Sequence, residues 1–248
     1  MPLTITALRS LWESARSASV ALAHVASHGS LGQRTALAGA LLLAATSAGG
    51  AVHARIAEGN PATGSLALAI NGEKLRAGDI VFRKGRSMAS AAVVAVDRGS
   101  PYSHVGVLIR REGGWFVVSA MPLSRDGPSP VSIDALADFI SDRDASAFAV
   151  YRVRATEGER LGLTAAVAAE RLALSGATFD ADFDLETDSA LYCTELVWKV
   201  YLAAGLDIMD GHLDRVRGPF VSGLFVLPSS LQRSTALAKV DALTSDAR

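Results

Sequence analysis

The sequence contains a single cysteine, Cys193, within the segment ALYCTELVWKVYLAAG at residues 190–205. The apolar spacing of this segment predicts a helix with Cys193 in or near its first turn, with Asp188 and Ser189 as candidate N-caps. The partial positive charge at a helix start lowers the pKa of a thiol and favours the nucleophilic thiolate. The alternative is an inert cysteine packed among apolar side chains, which is the more frequent role of a lone cysteine.

A cysteine nucleophile needs a base that takes its proton, and histidine is the usual one. His24, His28 and His53 lie in the N-terminal region, so only His104 and His212 remain for the rest of the chain. His212 lies in the polar stretch MDGHLDR, which is typical of a solvated loop, whereas His104 opens the apolar segment HVGVLIR. His104 is therefore the candidate base, and the alternative is a structural histidine at a strand start.

A β-hairpin is predicted on either side of the polar turn REGG that follows the His104 segment. The count of residues places His104 opposite Ser119, Ala120 or Met121 on the returning strand. Only Ser119 has a side chain that readily accepts a hydrogen bond from an imidazole N–H. Cys193, His104 and Ser119 therefore form a candidate nucleophile, base and orienting group, although a register slip of one residue would remove Ser119.

The segments around these residues alternate irregularly between strands and helices. Residues 75–82 are predicted to form a turn into a short strand, and further strands are predicted at residues 104–110, 115–121 and 147–154. Helices are predicted at residues 87–97, from near 132, at 157–175 and from the cysteine to Gly205, the expected C′ residue. Several of the strands are expected to pair antiparallel, which predicts an α+β fold with a small antiparallel sheet packed on helices. Residues 65–235 are expected to form one domain.

The first 54 residues differ in kind from the remainder. No charged residue occurs between Arg34 and Arg55, and an apolar centre at residues 37–45 precedes a small-residue ending, Val52-His53-Ala54. This pattern is typical of a signal peptide cleaved after Ala54, or of a membrane anchor at about residues 34–54. We expect an exported, periplasmic or inner-membrane-anchored protein that can associate with the membrane through this segment. The alternative is a buried, alanine-rich helix of the domain.

Composition excludes several classes of protein. The formal net charge is −1 and no long Lys/Arg cluster occurs, which argues against nucleic acid as the main partner. A single cysteine excludes an internal disulfide and any cysteine-based zinc cage. The two histidines after the N-terminal region form no HExxH pattern, so no metal site is expected.

Four segments together carry a family resemblance: GDIVF (78–82), SHVGVLI (103–109), FVVSA (116–120) and FDADFDLETDSALYCTELVWKVY (179–201). They resemble the circularly permuted NlpC-like cysteine hydrolases of the YiiX/YebB group, over roughly residues 75–205. That group has a permuted papain-like fold in which the catalytic histidine precedes the catalytic cysteine, which is the order found here. The resemblance implies that Cys193 is the nucleophile and that His104 is the general base and acid.

The resemblance also implies roles for neighbouring residues. Ser119 occupies a position at which the family often carries Glu or another polar group, and Asp79 of the GD pair is expected to be structural. Tyr192 and Ser103, which flank the nucleophile and the base in the chain, are candidates for lining the substrate site or the oxyanion site. For Tyr192, aromatic packing under the helix is an equal alternative.

The function implied by the resemblance is a thiol hydrolase that cleaves an amide or peptide bond through an acyl-enzyme. Cell-wall peptide is the natural substrate to expect of an exported bacterial protein, and no metal or organic cofactor is implied. One alternative is an acyltransferase or a lipid-ester hydrolase of the same fold, acting on an acyl lipid. A second alternative is a catalytically weak binding module, in which case Cys193→Ser would leave ligand binding intact. A metalloenzyme is the most remote alternative.

Overall fold

The computed structural model describes residues 74–122, 129–154, 156–217 and 222–241. The described strands are β1 (Ile80–Gly85), β2 (His104–Arg111), β3 (Gly114–Ser119), β4 (Ser132–Ala135), β5 (Ala145–Val153), β6 (Thr178–Phe179), β7 (Ala190–Leu191), β8 (Asp214–Arg217), β9 (Ser222–Phe225) and β10 (Leu237–Lys239). The described helices are α1 (Met88–Val96), α2 (Leu136–Phe139), α3 (Gly158–Leu174), α4 (Cys193–Ala203) and α5 (Pro228–Arg233). The signal-peptide or anchor segment predicted within residues 1–54 lies outside these ranges, and no helix within them is long and apolar enough to cross a bilayer.

Six of the described strands form one antiparallel sheet in the order β10-β5-β1-β2-β3-β4. Helices α3 and α4 pack against each other and against β2 in the middle of this sheet. Two small sheets, β6 with β7 and β8 with β9, flank the ends of α4 in sequence. The predicted α+β architecture, an antiparallel sheet packed on helices, is confirmed.

The two faces of the sheet are covered differently, and β2 shows how. Val105 and Val107 belong to the larger core cluster, together with apolar residues of α3 and α4. Leu108 belongs to a smaller cluster on the other face, together with Phe139 of α2. Because side chains alternate along a strand, His104 lies on the same face as Leu108. The His104 and Phe139 ring centroids lie 5.4 Å apart, as this alternation requires.

The helix predicted from near Ser132 begins later than expected. Residues Ser132–Ala135 form strand β4, which pairs antiparallel with β3 so that Ser132 lies opposite Ser119. The helix that follows, Leu136–Phe139, has only four residues. The prediction was wrong because the exposed edge of β3 offers backbone hydrogen bonds, and this tertiary pairing outweighs the local helix propensity. By contrast, α3 lies within the predicted range, and Gly205 has the positive φ of 91° expected of a C′ residue.

The turn before β1 holds the sheet and both long helices together. Asp79 is buried, and its two carboxylate oxygens each accept a hydrogen bond of 2.7 Å from the Arg152 guanidinium on β5. Gly78 has a φ of 88° and its Cα lies against the backbone of Gly162 in α3, so no side chain fits there. The Tyr201 hydroxyl of α4 donates to the Gly78 carbonyl. These contacts support the structural role expected of Asp79.

We predict that Asp79→Ala lowers the free energy of unfolding by about 3 kcal/mol, because the substitution leaves a partly buried guanidinium without its carboxylate. Urea unfolding followed by circular dichroism measures the difference. Asp142→Ala is the matched control, since Asp142 is exposed, and its effect should stay within about 0.5 kcal/mol. Equal midpoints for the two variants would show that the ion pair adds nothing.

Candidate active site

Cys193 is the first residue of α4, and Tyr192, with an extended backbone, is the N-cap. The prediction of Asp188 or Ser189 as the cap was wrong, because residues Ala190–Leu191 form strand β7 before the helix begins. The parallel pairing of β7 with β6 fixes the direction in which the chain enters α4. At the helix start, the Glu195 carboxylate accepts a hydrogen bond of 3.2 Å from the Tyr192 N–H. Because Cys193 is the first residue of the helix, the N–H groups beside it lack intrahelical partners.

The residues on either side of Cys193 anchor it to the segment that follows β9. The Tyr192 hydroxyl accepts a hydrogen bond of 2.9 Å from the Val226 N–H, and the Thr194 hydroxyl donates to the Val226 carbonyl at 2.6 Å. Both side chains are buried. The Tyr192 ring also packs against Phe183, with centroids 5.3 Å apart. These contacts support the packing alternative for Tyr192, since its hydroxyl is already engaged in positioning the helix start.

The imidazole of His104 and the hydroxyl of Ser119 are in contact, as the hairpin count predicted. His104 Nε2 lies 3.1 Å from Ser119 Oγ, and both residues are buried. Val107 pairs with Val118, and this register places Ser119 beside Gly106. A Cβ at Gly106 would lie 3.0 Å from the Cβ of Ser119 and closer still to the Val118 carbonyl, so the SHVG sequence needs glycine at this position.

Cys193 meets the histidine strand through the backbone rather than through the imidazole. The backbone N–H groups of Val105, Cys193 and Thr194 lie close enough to the Cys193 sulfur to favour its thiolate form. The Cys193 side chain packs against the larger core cluster, whereas the His104 ring contacts Phe139 of the smaller one. Among the described residues no hydrogen bond joins the sulfur to the imidazole. The structure therefore brings His104 to Ser119 directly and brings Cys193 to the residue next to His104.

Burial dominates the electrostatics of both groups. Desolvation raises the pKa of the Cys193 thiol to about 11 although this residue is only partly buried, and the three backbone amides and the charge of Arg83 act in the opposite direction. Burial, with the charge of Arg83, lowers the pKa of His104 to about 3. The expectation that the helix start lowers the pKa of the thiol was therefore wrong, because desolvation outweighs the helix dipole. At neutral pH the structure holds a neutral thiol and a neutral imidazole.

Arg83 lies at this site and was not among the residues singled out from the sequence. It lies on β1 directly opposite His104, so both side chains point to the same face of the sheet. Its guanidinium lies 4.5 Å from the centre of the Phe139 ring and donates to the Phe139 carbonyl at 2.9 Å. The signal was available in the alternation of IVFRKG, which places a cation on the same buried face as Val81.

A second missed group lies under the first turn of α4. Glu195 is fully buried, and Lys199 Nζ lies 3.1 Å from its Oε1. Burial raises the pKa of Glu195 to about 7 despite the nearby ammonium group. Lys199 also contacts Asp188 at 2.9 Å and the Thr187 carbonyl. Glu195 and Lys199 therefore link the helix start to the loop that leads into it.

The remaining predicted residues have simpler surroundings. The Ser103 hydroxyl accepts a hydrogen bond of 3.0 Å from the Gly85 N–H, so it joins the start of β2 to the end of β1. This contact positions Ser103, and the substrate or oxyanion contact expected of its hydroxyl stays a prediction. His212 is exposed in a turn, as expected of a solvated residue. Within the described ranges, no group of three or more His, Cys, Asp or Glu side chains is arranged to hold a metal ion.

Comparison with known proteins identifies the family. The sequence profile of Peptidase_C92, described as permuted papain-like amidase enzymes of the YaeF/YiiX type, matches residues 74–240. The uncharacterized protein YiiX of Escherichia coli (strain K12) is 31% identical over 124 residues, which are 50% of this chain and 56% of that protein. The chain thus spans about half the length of this curated relative.

A solved structure gives the same result for the fold. The crystal structure of yiiX from Escherichia coli O157:H7, described as a metalloprotein, superposes with a TM-score of 0.54 at 26% sequence identity. The superposition covers 66% of this chain and 96% of that chain. The YiiX-type resemblance and the permuted papain-like fold are therefore confirmed, and the chain belongs to the permuted papain-like amidase family C92.

Proposed function

We propose that the protein is a cysteine amidase in which Cys193 is the nucleophile, His104 the general base and acid, and Ser119 the group that orients the imidazole. The observation that carries the proposal is the buried contact between His104 Nε2 and Ser119 Oγ, 3.1 Å long, on the strand whose next amide touches the Cys193 thiol. A buried imidazole held by a hydroxyl beside a helix-start cysteine is the arrangement that nucleophilic catalysis uses.

The proposal takes the tautomer of His104 in which the proton is on Nε2. If Nε2–H donates to Ser119 Oγ, Nδ1 is unprotonated and is the nitrogen that takes the thiol proton. The sulfur then attacks the substrate carbonyl, and the oxyanion that forms is held by backbone N–H groups at the start of α4. Nδ1–H next protonates the leaving amine as the C–N bond breaks, which leaves a thioester on Cys193. Attack by water, with the imidazole again as base, releases the acid and restores the thiol.

The resting pair is neutral, so the proton moves only when a substrate is present. A carbonyl carbon that accepts the sulfur makes the thiol far more acidic than its resting pKa of about 11. The imidazole and the thiol must also approach each other, since the described structure joins them only through the backbone at Val105. Catalytic contacts of this kind commonly shorten when the substrate binds.

The substrate and the location are further parts of the proposal. An uncharged apolar stretch between Arg34 and Arg55 supports export or membrane anchoring, and an exported amidase has cell-wall peptide as an accessible substrate. If the acyl group passed from the thioester to an acceptor other than water, the same steps would give an acyltransferase. An ester substrate would give a lipid-ester hydrolase.

A binding module is the second candidate, and one observation favours it. Burial raises the pKa of Cys193 and lowers that of His104, so neither group is ionised in the resting structure at neutral pH. A protein that kept the fold for binding alone would have no need of an ion pair. Cys193→Ser separates the candidates, because a binding module would keep its cellular function and an amidase would lose it.

We predict that Cys193→Ala and His104→Ala each lower amidase activity by about 10³-fold, because the nucleophile and the proton carrier are lost. Ser119→Ala should lower kcat about tenfold, since it removes one neutral hydrogen bond from the imidazole. Turnover of a panel of acyl p-nitroanilides by the full chain measures these effects. Ser146→Ala is the matched control, because its hydroxyl bonds only the Lys84 carbonyl. Unchanged turnover in Ser119→Ala would contradict the role of Ser119.

We also predict the reactivity of the resting thiol. With a pKa raised from 9.0 to about 11 by burial, the native thiol at pH 8 should react with iodoacetamide about 100-fold more slowly than in urea. The rate should rise about tenfold per pH unit up to pH 10 as the thiolate forms. Mass spectrometry of the alkylated protein gives the rates. A rate that levels off below pH 8 would show a stable thiolate and would contradict the neutral resting pair.

A further inference from the structure

The guanidinium of Arg83 is a cation beside the candidate active site that has no matching anion among the residues that the structure describes. Nη1 donates to the Phe139 carbonyl at 2.9 Å, and Nη2 points to the Met121 sulfur at 3.5 Å. Nε is buried and has no hydrogen-bond partner. A thioether sulfur is a weak acceptor, so the edge of the guanidinium formed by Nε and Nη2 is almost unsatisfied.

The neighbouring carboxylates do not supply the missing partner. Asp144 and Asp134 both act on Arg83 through space, but no carboxylate of the described residues lies within 4.0 Å of its guanidinium. Asp144 is bound by Arg143 at 2.8 Å, and Asp134 accepts a hydrogen bond of 2.6 Å from Ser132. A largely buried cation is costly unless an anion or several strong acceptors surround it. This cost calls for an anion supplied from outside the described residues.

We infer that Arg83 binds an anionic group of the substrate through its Nε and Nη2 edge, next to the bond that Cys193 cleaves. This edge of a guanidinium presents two parallel N–H donors, which match the two oxygens of a carboxylate or of a phosphate. Its position supports this role, since Arg83 lies opposite His104 in the sheet and its charge acts on both His104 and Cys193. The inference rests on the proposed amidase function and adds a substrate class, acyl compounds with a negative charge near the scissile bond.

A negative charge near the scissile bond has a different source in a peptide substrate than in a lipid substrate, so its source distinguishes the amidase from the lipid-acting alternatives. A peptide substrate would supply a carboxylate, and a phospholipid would supply a phosphodiester. Both offer paired oxygens to the same edge of Arg83, so the geometry of the guanidinium does not distinguish them. The experiment therefore uses one charged and one neutral probe of each kind.

Binding is measured by calorimetry on the full chain carrying Cys193→Ala, which prevents turnover. The peptide probes are N-acetyl-Ala-Ala with a free carboxylate and its C-terminal carboxamide. The lipid probes are dihexanoyl phosphatidylglycerol, below its micelle concentration, and dihexanoylglycerol. We expect the charged member of one pair to bind at least about tenfold more tightly than its neutral analogue. Preference in the peptide pair assigns a carboxylate, and preference in the lipid pair assigns a phosphodiester.

Variants then assign the preference to Arg83. Arg83→Gln should abolish it, and Arg83→Lys should retain only part of it, because lysine keeps the charge and loses the paired donors. The matched control is Arg110→Gln, since Arg110 is exposed at the far end of β2 over the Trp115 ring. Circular dichroism establishes that each variant is folded, and Arg83→Lys carries the test if Arg83→Gln does not fold. Absence of preference in both pairs, or a preference that survives both substitutions at Arg83, overturns the inference.

The design also separates this inference from the proposed function. Binding to the Cys193→Ala chain requires no hydrolysis, so an Arg83-dependent preference in a protein without amidase activity would contradict the amidase proposal alone. An active amidase that cleaves charged and neutral acyl substrates with the same KM would contradict the role of Arg83 alone. In the active enzyme Arg83→Gln should raise KM for charged substrates more than KM for their neutral analogues.

Discussion

The contact between the start of α4 and the start of β2 is the constraint on which the candidate site depends. The Val105 N–H lies near the Cys193 sulfur there, so the first residue of α4 faces the beginning of β2. Hydrogen bonds along α4 and at its N-cap hold the helix in this position. Tyr192 and Thr194 bind the backbone of Val226, and Tyr201, two turns further along α4, binds the Gly78 carbonyl. The position of Cys193 thus depends on hydrogen bonds made by other residues of α4 and its N-cap.

The same close packing sets the charge state of the site. Excluding water raises the pKa of the thiol and lowers that of the imidazole, so the free protein is most stable with both groups neutral. Glu195, in the first turn of the helix, is also shielded from water, and this burial raises its pKa to about 7 although Lys199 lies beside it. A dry site strengthens the interactions that develop when charge appears during a reaction, because the local dielectric is low. The neutral resting pair is thus compatible with catalysis that begins only when a substrate carbonyl is bound.

Local patterns in the sequence predicted the parts of the site that depend on neighbouring strands. The turn after β2 limited the partners of His104 to residues 119–121, and side-chain chemistry selected Ser119 among them. The structure has the Ser119 hydroxyl in contact with the imidazole, although Ser119 lies beside Gly106 in the sheet. The same reasoning failed at Ser132–Ala135, whose strand depends on a partner twelve or more residues away in sequence. The N-cap of α4 was predicted too early in the sequence for a related reason. Residues Ala190–Leu191 form strand β7 by pairing with β6, and this pairing is not visible in the local sequence. The rise in the pKa of Cys193 could not be predicted from sequence, because it depends on how many distant segments cover the thiol.

Ser119 and Arg83 are best understood together. They lie on the two strands that flank β2, on the face shared with His104, and Arg83 reaches across to Met121, two residues beyond Ser119. A carboxylate at position 119 would orient the imidazole more strongly, but it would also give Arg83 a permanent counterion. Serine orients the ring through a neutral hydrogen bond and leaves the guanidinium edge free. A neutral residue at position 119 is thus compatible with the proposal that Arg83 binds an anionic group of the substrate.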